Sequence, residues 1–118
     1  MIIKMDFRKA FDSISWDSLL KILWHRGFPP RFCDWISDLL SSIKTAVSLN
    51  DTPGDWIQCK KGLRQGDPIS PYLFIICAEA FSILLQCAEL DHTIEGMQVC
   101  SQAPRINHLF FADDSLIV

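Results

Sequence analysis

The hydrophobic pattern changes period several times along the chain, and each change predicts an element. Ile2, Ile3 and Met5 form a short apolar run ending at Asp6, the pattern of a buried strand with a carboxylate at its C-terminal end. Trp16, Leu19, Leu20, Ile22, Leu23 and Trp24 then recur at three-and-four spacing, with Asp12, Ser13 and Ser15 as candidate N-caps and Gly27 and Pro29-Pro30 as the stop. Phe32, Trp35, Ile36, Leu39, Leu40 and Ile43 repeat that spacing opposite Arg31, Asp34, Ser37, Asp38 and Ser41, which predicts a second amphipathic helix. Residues 45–50 alternate, 51–55 have turn chemistry and 56–59 resume a strand-like run, together a hairpin. A polar loop over 60–68 leads into an apolar segment from Ser70 or Pro71 to about Leu90, the longest predicted helix. A short strand over 94–99 and two apolar runs, 106–111 and 115–118, flanking Ala112-Asp113-Asp114, complete the order β, α, α, β, β, α, β, β. The expectation is one sheet with helices against one face.

Composition narrows the class. The chain has 118 residues, 49% of them apolar and 21% charged, which fits one globular domain and excludes disordered or low-complexity material. The apolar segment beginning near Ile69 is long enough to span a bilayer. Glu79 in its middle, costing about 2.5–3.5 kcal/mol in a membrane, and Pro71 at a helix-start position predict instead a buried helix crossing the back of a sheet. Eleven Lys and Arg against fourteen Asp and Glu give a net charge of −3, so the chain lacks the basic excess of a self-sufficient nucleic-acid binder. Cys33, Cys59, Cys77, Cys87 and Cys100 are scattered, without disulfide-framework or zinc-ligand spacing. With no signal-peptide pattern at the N-terminus, they predict an intracellular protein, cytoplasmic or nuclear.

Candidate chemistry concentrates in carboxylates and one loop. Asp113 and Asp114, taken alone, suit a polar hairpin tip, since Asp is common in turns. Asp6 alters the picture, because it also ends a buried-type strand. If the two strands are neighbours, the three carboxylates converge, repel one another unless a cation intervenes, and present the oxygen ligands that suit magnesium or manganese. Gly62-Leu63-Arg64-Gln65-Gly66-Asp67-Pro68-Ile69-Ser70-Pro71 is a glycine-bounded polar loop entering an apolar helix, a form that lets backbone approach a ligand.

Three segments in order carry a resemblance: Lys4-Met5-Asp6-Phe7-Arg8-Lys9-Ala10-Phe11-Asp12, Gly62 to Phe74, and Phe111-Ala112-Asp113-Asp114. They resemble ordered motifs of reverse transcriptases, most nearly those of non-LTR (LINE-type) retrotransposons, and Trp16 after Phe11-Asp12-Ser13-Ile14-Ser15 is similar to elements abundant in plant genomes. The resemblance implies an α+β polymerase palm, a ferredoxin- or RRM-like antiparallel sheet backed by helices, forming part of a reverse transcriptase domain. It implies RNA-directed DNA synthesis with an RNA template, a DNA primer, deoxynucleoside triphosphates and two Mg²⁺ or Mn²⁺ ions.

Position by position, the resemblance makes Asp6, Asp113 and Asp114 the catalytic metal ligands and the Phe7 carbonyl a further ligand. It places the backbone amides of Lys9 and Ala10 at the triphosphate and Phe11 beneath the sugar, where a bulky ring leaves no room for a 2′-hydroxyl. Gln65 and Gly66 border the nascent base pair, and Arg64, Lys60 and Lys61 are nucleic-acid contacts. Simpler readings stand beside these: Phe11 as an ordinary core aromatic, and Arg64, Lys60 and Lys61 as a solvated charge cluster or Arg64 as a partner of Asp67. His25, His92 and His108 have no ligand spacing and read as surface or satisfied histidines. The resemblance also implies fingers upstream and a thumb downstream, with an endonuclease elsewhere. These are missing from residues 1–118, so the expectation is a palm fragment, either the catalytic part of a polymerase or a remnant keeping only fold and metal site.

Overall fold

The structure is a computed structural model describing residues 2–6, 10–111 and 114–118, with Met5 and Asp6 as backbone alone. Phe7, Lys9 and Asp113 therefore lie outside the described residues. The element order is β1 (Ile3–Asp6), α1 (Ala10–Ser13), α2 (Trp16–His25), α3 (Pro30–Ser41), β2 (Lys44–Leu49), β3 (Thr52–Gln58), α4 (Ser70–Leu90), β4 (His108–Phe111) and β5 (Asp114–Ile117). This is a mixed fold of helices and antiparallel sheet, in two compact units: residues 11–76, and residues 1–10 with 77–118.

In the unit of residues 11–76, α2 and α3 pack together and bury part of the predicted apolar stripes, while Trp24, Trp35 and Leu39 stay exposed. Leu19 and Leu23 are wholly buried, and Cys33, Ile36 and Leu40 nearly so. Ser15 caps α2: its hydroxyl accepts from the Ser18 backbone N–H at 3.4 Å. Ser15→Ala should lower stability by about 1 kcal/mol, measured by urea unfolding, because that N–H loses its acceptor. Pro30 opens α3, where its missing N–H has no helical partner to lose.

The hairpin turns earlier than the composition indicated. Asn50 and Asp51 have φ of 51° and 60°, the left-handed pair that closes a two-residue hairpin loop, and Leu49 pairs with Thr52 directly across it. Thr52, Pro53, Gly54 and Asp55 are accordingly strand, not turn, and the register shifts between Ala46 and Ser48 to accommodate them.

The expectation of a single sheet is also corrected. β2 and β3 form a separate two-stranded ribbon, whose β3 is exposed throughout. Pro53, which cannot donate to a neighbouring strand, and the irregular register both oppose extension of this ribbon into a larger sheet.

The other unit holds a three-stranded antiparallel sheet of order β1-β5-β4. Its inward face packs on the C-terminal part of α4. Phe110 stacks on Phe81 with centroids 5.5 Å apart, and Ser82 Oγ lies 2.6 Å from His108 Nε2. His108 Nδ1 contacts Asn107 Oδ1, and the buried Asn107 amide donates to Glu89 Oε2 at 2.6 Å. His108 is thus a satisfied histidine. The expected strand over 94–99 reduces to one isolated bridge, Met97 with Ile106. Beside it, a Cβ at Gly96 would meet the Glu89 carboxylate at 2.7 Å and the Ile106 carbonyl oxygen at 3.1 Å.

Length and composition alone would let α4 cross a membrane, yet Phe81 and Ser82 seat it on a sheet. The expectation of a buried helix is corrected: among its described residues only Ser70 and Leu73, both in the first turn, are buried, whereas Tyr72, Ile75, Leu84 and Leu90 are exposed. Burial pushes the Cys77 thiol up from its ordinary pKa.

Candidate functional site

One candidate region is the end of the three-stranded sheet. β1 and β5 are neighbours, and their register pairs Ile3 with Ile117, Lys4 with Leu116, Met5 with Ser115 and Asp6 with Asp114. β4 follows on the other side of β5, with Phe111 opposite Asp114. Two of the three expected carboxylate positions therefore meet as directly paired residues at one end of the sheet.

Alternation then assigns faces. Positions 108, 110, 115 and 117 face α4, and positions 4, 6, 109, 111, 114 and 116 occupy the open face. On that open face Phe111 is 83% exposed and Leu109 54%. Lys4 Nζ lies 3.5 Å from Asp114 Oδ1, an exposed ion pair between adjacent strands that places a cation against this carboxylate. Among the described residues no three His, Cys, Asp or Glu side chains cluster as a metal site.

A separate candidate region lies in the other unit, where the loop over 60–68 is stitched to the segment from α1 to α2. The Leu63 N–H donates to the Phe11 carbonyl at 2.6 Å, and the Gly62 N–H to the Ile14 carbonyl at 2.7 Å. Trp16 Nε1 donates to the Gly62 carbonyl at 2.6 Å, and Lys61 bridges Ser15. Leu63 is buried beneath this seam, fixing the loop from inside. Trp16 was visible in the sequence as part of an amphipathic stripe, but its role as the loop's anchor was not.

The predicted residues of this unit take defined places. Phe11 stacks nearly parallel on Phe74, centroids 4.9 Å apart, and is half-buried. Lys60, Lys61, Arg64, Gln65 and Gly66 are exposed. Arg64 makes no ion pair with Asp67 among the described residues; Asp67 Oδ1 instead accepts from the Ile69 N–H at 3.1 Å, leading the chain into α4. Gly66 has φ +86° and points into open space, a conformation that favours glycine and leaves backbone accessible. Ala10, which belongs to the unit of residues 1–10 and 77–118, opens α1 and is buried.

Comparison with known proteins adds an independent line. The family model described as reverse transcriptase (RNA-dependent DNA polymerase) matches residues 1–118. An uncharacterized mitochondrial protein of Arabidopsis thaliana is 48% identical over 67 residues, covering 57% of this chain and 55% of that protein. The retrovirus-related Pol polyprotein from type-1 retrotransposable element R2 of Nasonia vitripennis is 33% identical over 114 residues, 97% of this chain and 10% of the polyprotein. Its counterpart from Popillia japonica is 28% identical over 117 residues, 99% of this chain and 18% of that protein. The chain therefore spans about half of the mitochondrial protein and less than a fifth of these two polyproteins. With the family model matching its whole length and the ordered motifs in place, the chain belongs to the reverse transcriptase family.

Proposed function

We propose that this chain supplies the catalytic palm of an RNA-directed DNA polymerase, joining deoxynucleotides to the 3′-hydroxyl of a DNA primer on an RNA template. The observation that carries this reading is the pairing of Asp6 with Asp114 at one end of a three-stranded antiparallel sheet backed by a helix. That arrangement supports a ferredoxin- or RRM-like palm as the finer fold.

The family as a whole uses divalent metals, and the residues here suit them. Carboxylate oxygens are the donors that Mg²⁺ and Mn²⁺ prefer, and the exposed Asp114 carboxylate, paired with the Lys4 ammonium at 3.5 Å, is open to such an ion. Asp6, Asp113 and Asp114 would hold two ions, with the Phe7 carbonyl as a further oxygen. When bound, such ions supply Lewis acidity at the attacking oxygen and countercharge for the triphosphate.

The protein's own share is positioning. The backbone amides of Lys9 and Ala10 bind triphosphate oxygens. Phe11, its ring held flat by Phe74, excludes a 2′-hydroxyl. Gln65 offers amide donors and acceptors beside the base pair, and Gly66 lets backbone approach it. Arg64, Lys60 and Lys61 hold nucleic-acid phosphates.

Titration with Mn²⁺, followed by the electron spin resonance of the free ion, tests the metal assignment. Asp6→Asn and Asp114→Asn should each weaken binding by at least about tenfold, a loss that even an outer-sphere partner of a metal site can cause. Asp17→Asn, which removes an exposed carboxylate paired with Lys21 on α2, should leave it unchanged. Equal binding by all four proteins would refute the assignment.

A further inference from the structure

A cleft of about 1000 Å³ opens in the unit of residues 11–76, between the base of the β2–β3 ribbon, the end of α3 and the loop over 60–68. Its walls are held in place: Gln58 Nε2 donates to the Ser41 and Ile43 carbonyls at 2.7 and 3.1 Å, and the Cys59 N–H donates to Ile43 at 3.2 Å. Lys44, Lys61 and Arg64 line it, and none of them forms an ion pair among the described residues. Of the two carboxylates in the lining, Asp12 and Asp67, the latter is engaged by the Ile69 N–H. A chain of net charge −3 thus gathers around one concavity three cations that form no ion pair among the described residues.

Trp56 lies in the same cleft, and its side chain is among the most exposed large apolar groups of the protein, at 72%. Its cross-strand partner is Ala46, whose methyl group leaves the ring uncovered, and no aromatic ring of the described residues stacks on it. An open indole face beside cations spaced around a groove is the pairing that single-stranded nucleic acid requires. The ring stacks a base of any identity, and the cations take the phosphates on either side.

We propose that this cleft binds a single-stranded nucleic-acid segment, one unpaired base stacking on Trp56 with flanking phosphates held by Lys44, Lys61 and Arg64. The choice of nucleic acid over another polyanion rests on the polymerase reading. The inference adds to that reading Trp56 and Lys44, two residues outside the segments that carry the family resemblance.

The test is fluorescence anisotropy of a short labelled single-stranded RNA titrated with the chain at low salt. Trp56→Ala should weaken binding about 5- to 150-fold, the loss of one stacked base, and Trp56→Phe should retain most of the affinity. Lys44→Ala should flatten the slope of log affinity against log salt by about 0.7 for the phosphate contact removed. Trp24→Ala and Trp35→Ala, exposed tryptophans outside the cleft, should bind as the unaltered chain does. With an RNA of abasic sugars, Trp56→Ala and the unaltered chain should bind alike.

Unchanged affinity of Trp56→Ala, an equal loss in Trp24→Ala, or absence of RNA binding by a chain whose circular dichroism shows it folded would each overturn the proposal. Mn²⁺ binding at Asp6 and Asp114 is read separately, so those outcomes remove the cleft assignment while leaving the palm assignment to its own measurement.

Discussion

Gly62→Ala should lower the stability of the chain by about 2–6 kcal/mol, because a left-handed backbone imposed on a side chain and an overpacked contact fall on one residue, each worth about 1–3 kcal/mol. Gly62 has φ +89°, and a Cβ there would sit 2.7 Å from the Asp12 carbonyl oxygen and 2.9 Å from its Cα. These are backbone atoms, which cannot rotate aside. Moving them would strain the three hydrogen bonds that join the loop to Phe11, Ile14 and Trp16.

Gly66 supplies the internal comparison. Its φ is +86°, almost the same, but nothing lies within 4 Å of its Cβ position, so Gly66→Ala should cost only the backbone term, about 1–2 kcal/mol. Urea unfolding followed by tryptophan fluorescence separates the two. Equal losses in both variants would mean that the loop is not seated against Asp12.

Helix α2 was legible because its periodicity, the Ser15 cap and the Gly27 and Pro29-Pro30 stop agree, and α3 because its periodicity follows a proline start, although no side chain caps it. The apolar run of α4 was legible as a helix, but its burial was not. A helix apolar on every side gives no sign of which side is covered, and Phe81 and Ser82 meet the sheet while Tyr72, Ile75 and Leu84 remain exposed. The ribbon turn was misplaced for a different reason. Thr52-Pro53-Gly54-Asp55 has turn composition, yet the reversal is made by Asn50 and Asp51, whose short polar side chains tolerate the left-handed backbone. One sheet became two because strand patterns state which segments extend and not which of them pair.

The acidic positions stood out in the sequence because a carboxylate that closes an apolar strand has no ordinary packing role. The pairing of Asp6 with Asp114 follows from β1 lying beside β5, a long-range choice that no local pattern encodes. Trp16 escaped because an indole counts as apolar in a periodic stripe, while its N–H meets a carbonyl 46 residues away. The link from Ser82 through His108 and Asn107 to Glu89 escaped likewise, being assembled from a helix and the run into a strand that are remote in sequence. Trp56 looked like a strand residue and is one, but its exposure beside Lys44 and Arg64 exists only in the fold.

The measurement that tests the central claim most directly is divalent-metal-dependent binding of a fluorescent deoxynucleoside triphosphate to the chain. On the proposed reading the triphosphate would bind through ions held by Asp6, Asp113 and Asp114, so ligand and metal would bind as one unit. With Mn²⁺ present the chain should bind the deoxynucleotide and, in the proposed role of Phe11 as a barrier to a 2′-hydroxyl, prefer it to the ribonucleotide. Phe11→Ala should erase that preference. Chelation of the metal, or the double variant Asp6→Asn, Asp114→Asn, should weaken binding by at least about 100-fold, since each lost ligand of a metal site carries a factor of about ten or more. Binding that persists without metal, or that is as tight in the double variant as in the unaltered chain, would contradict the assignment of this sheet end as a polymerase active site.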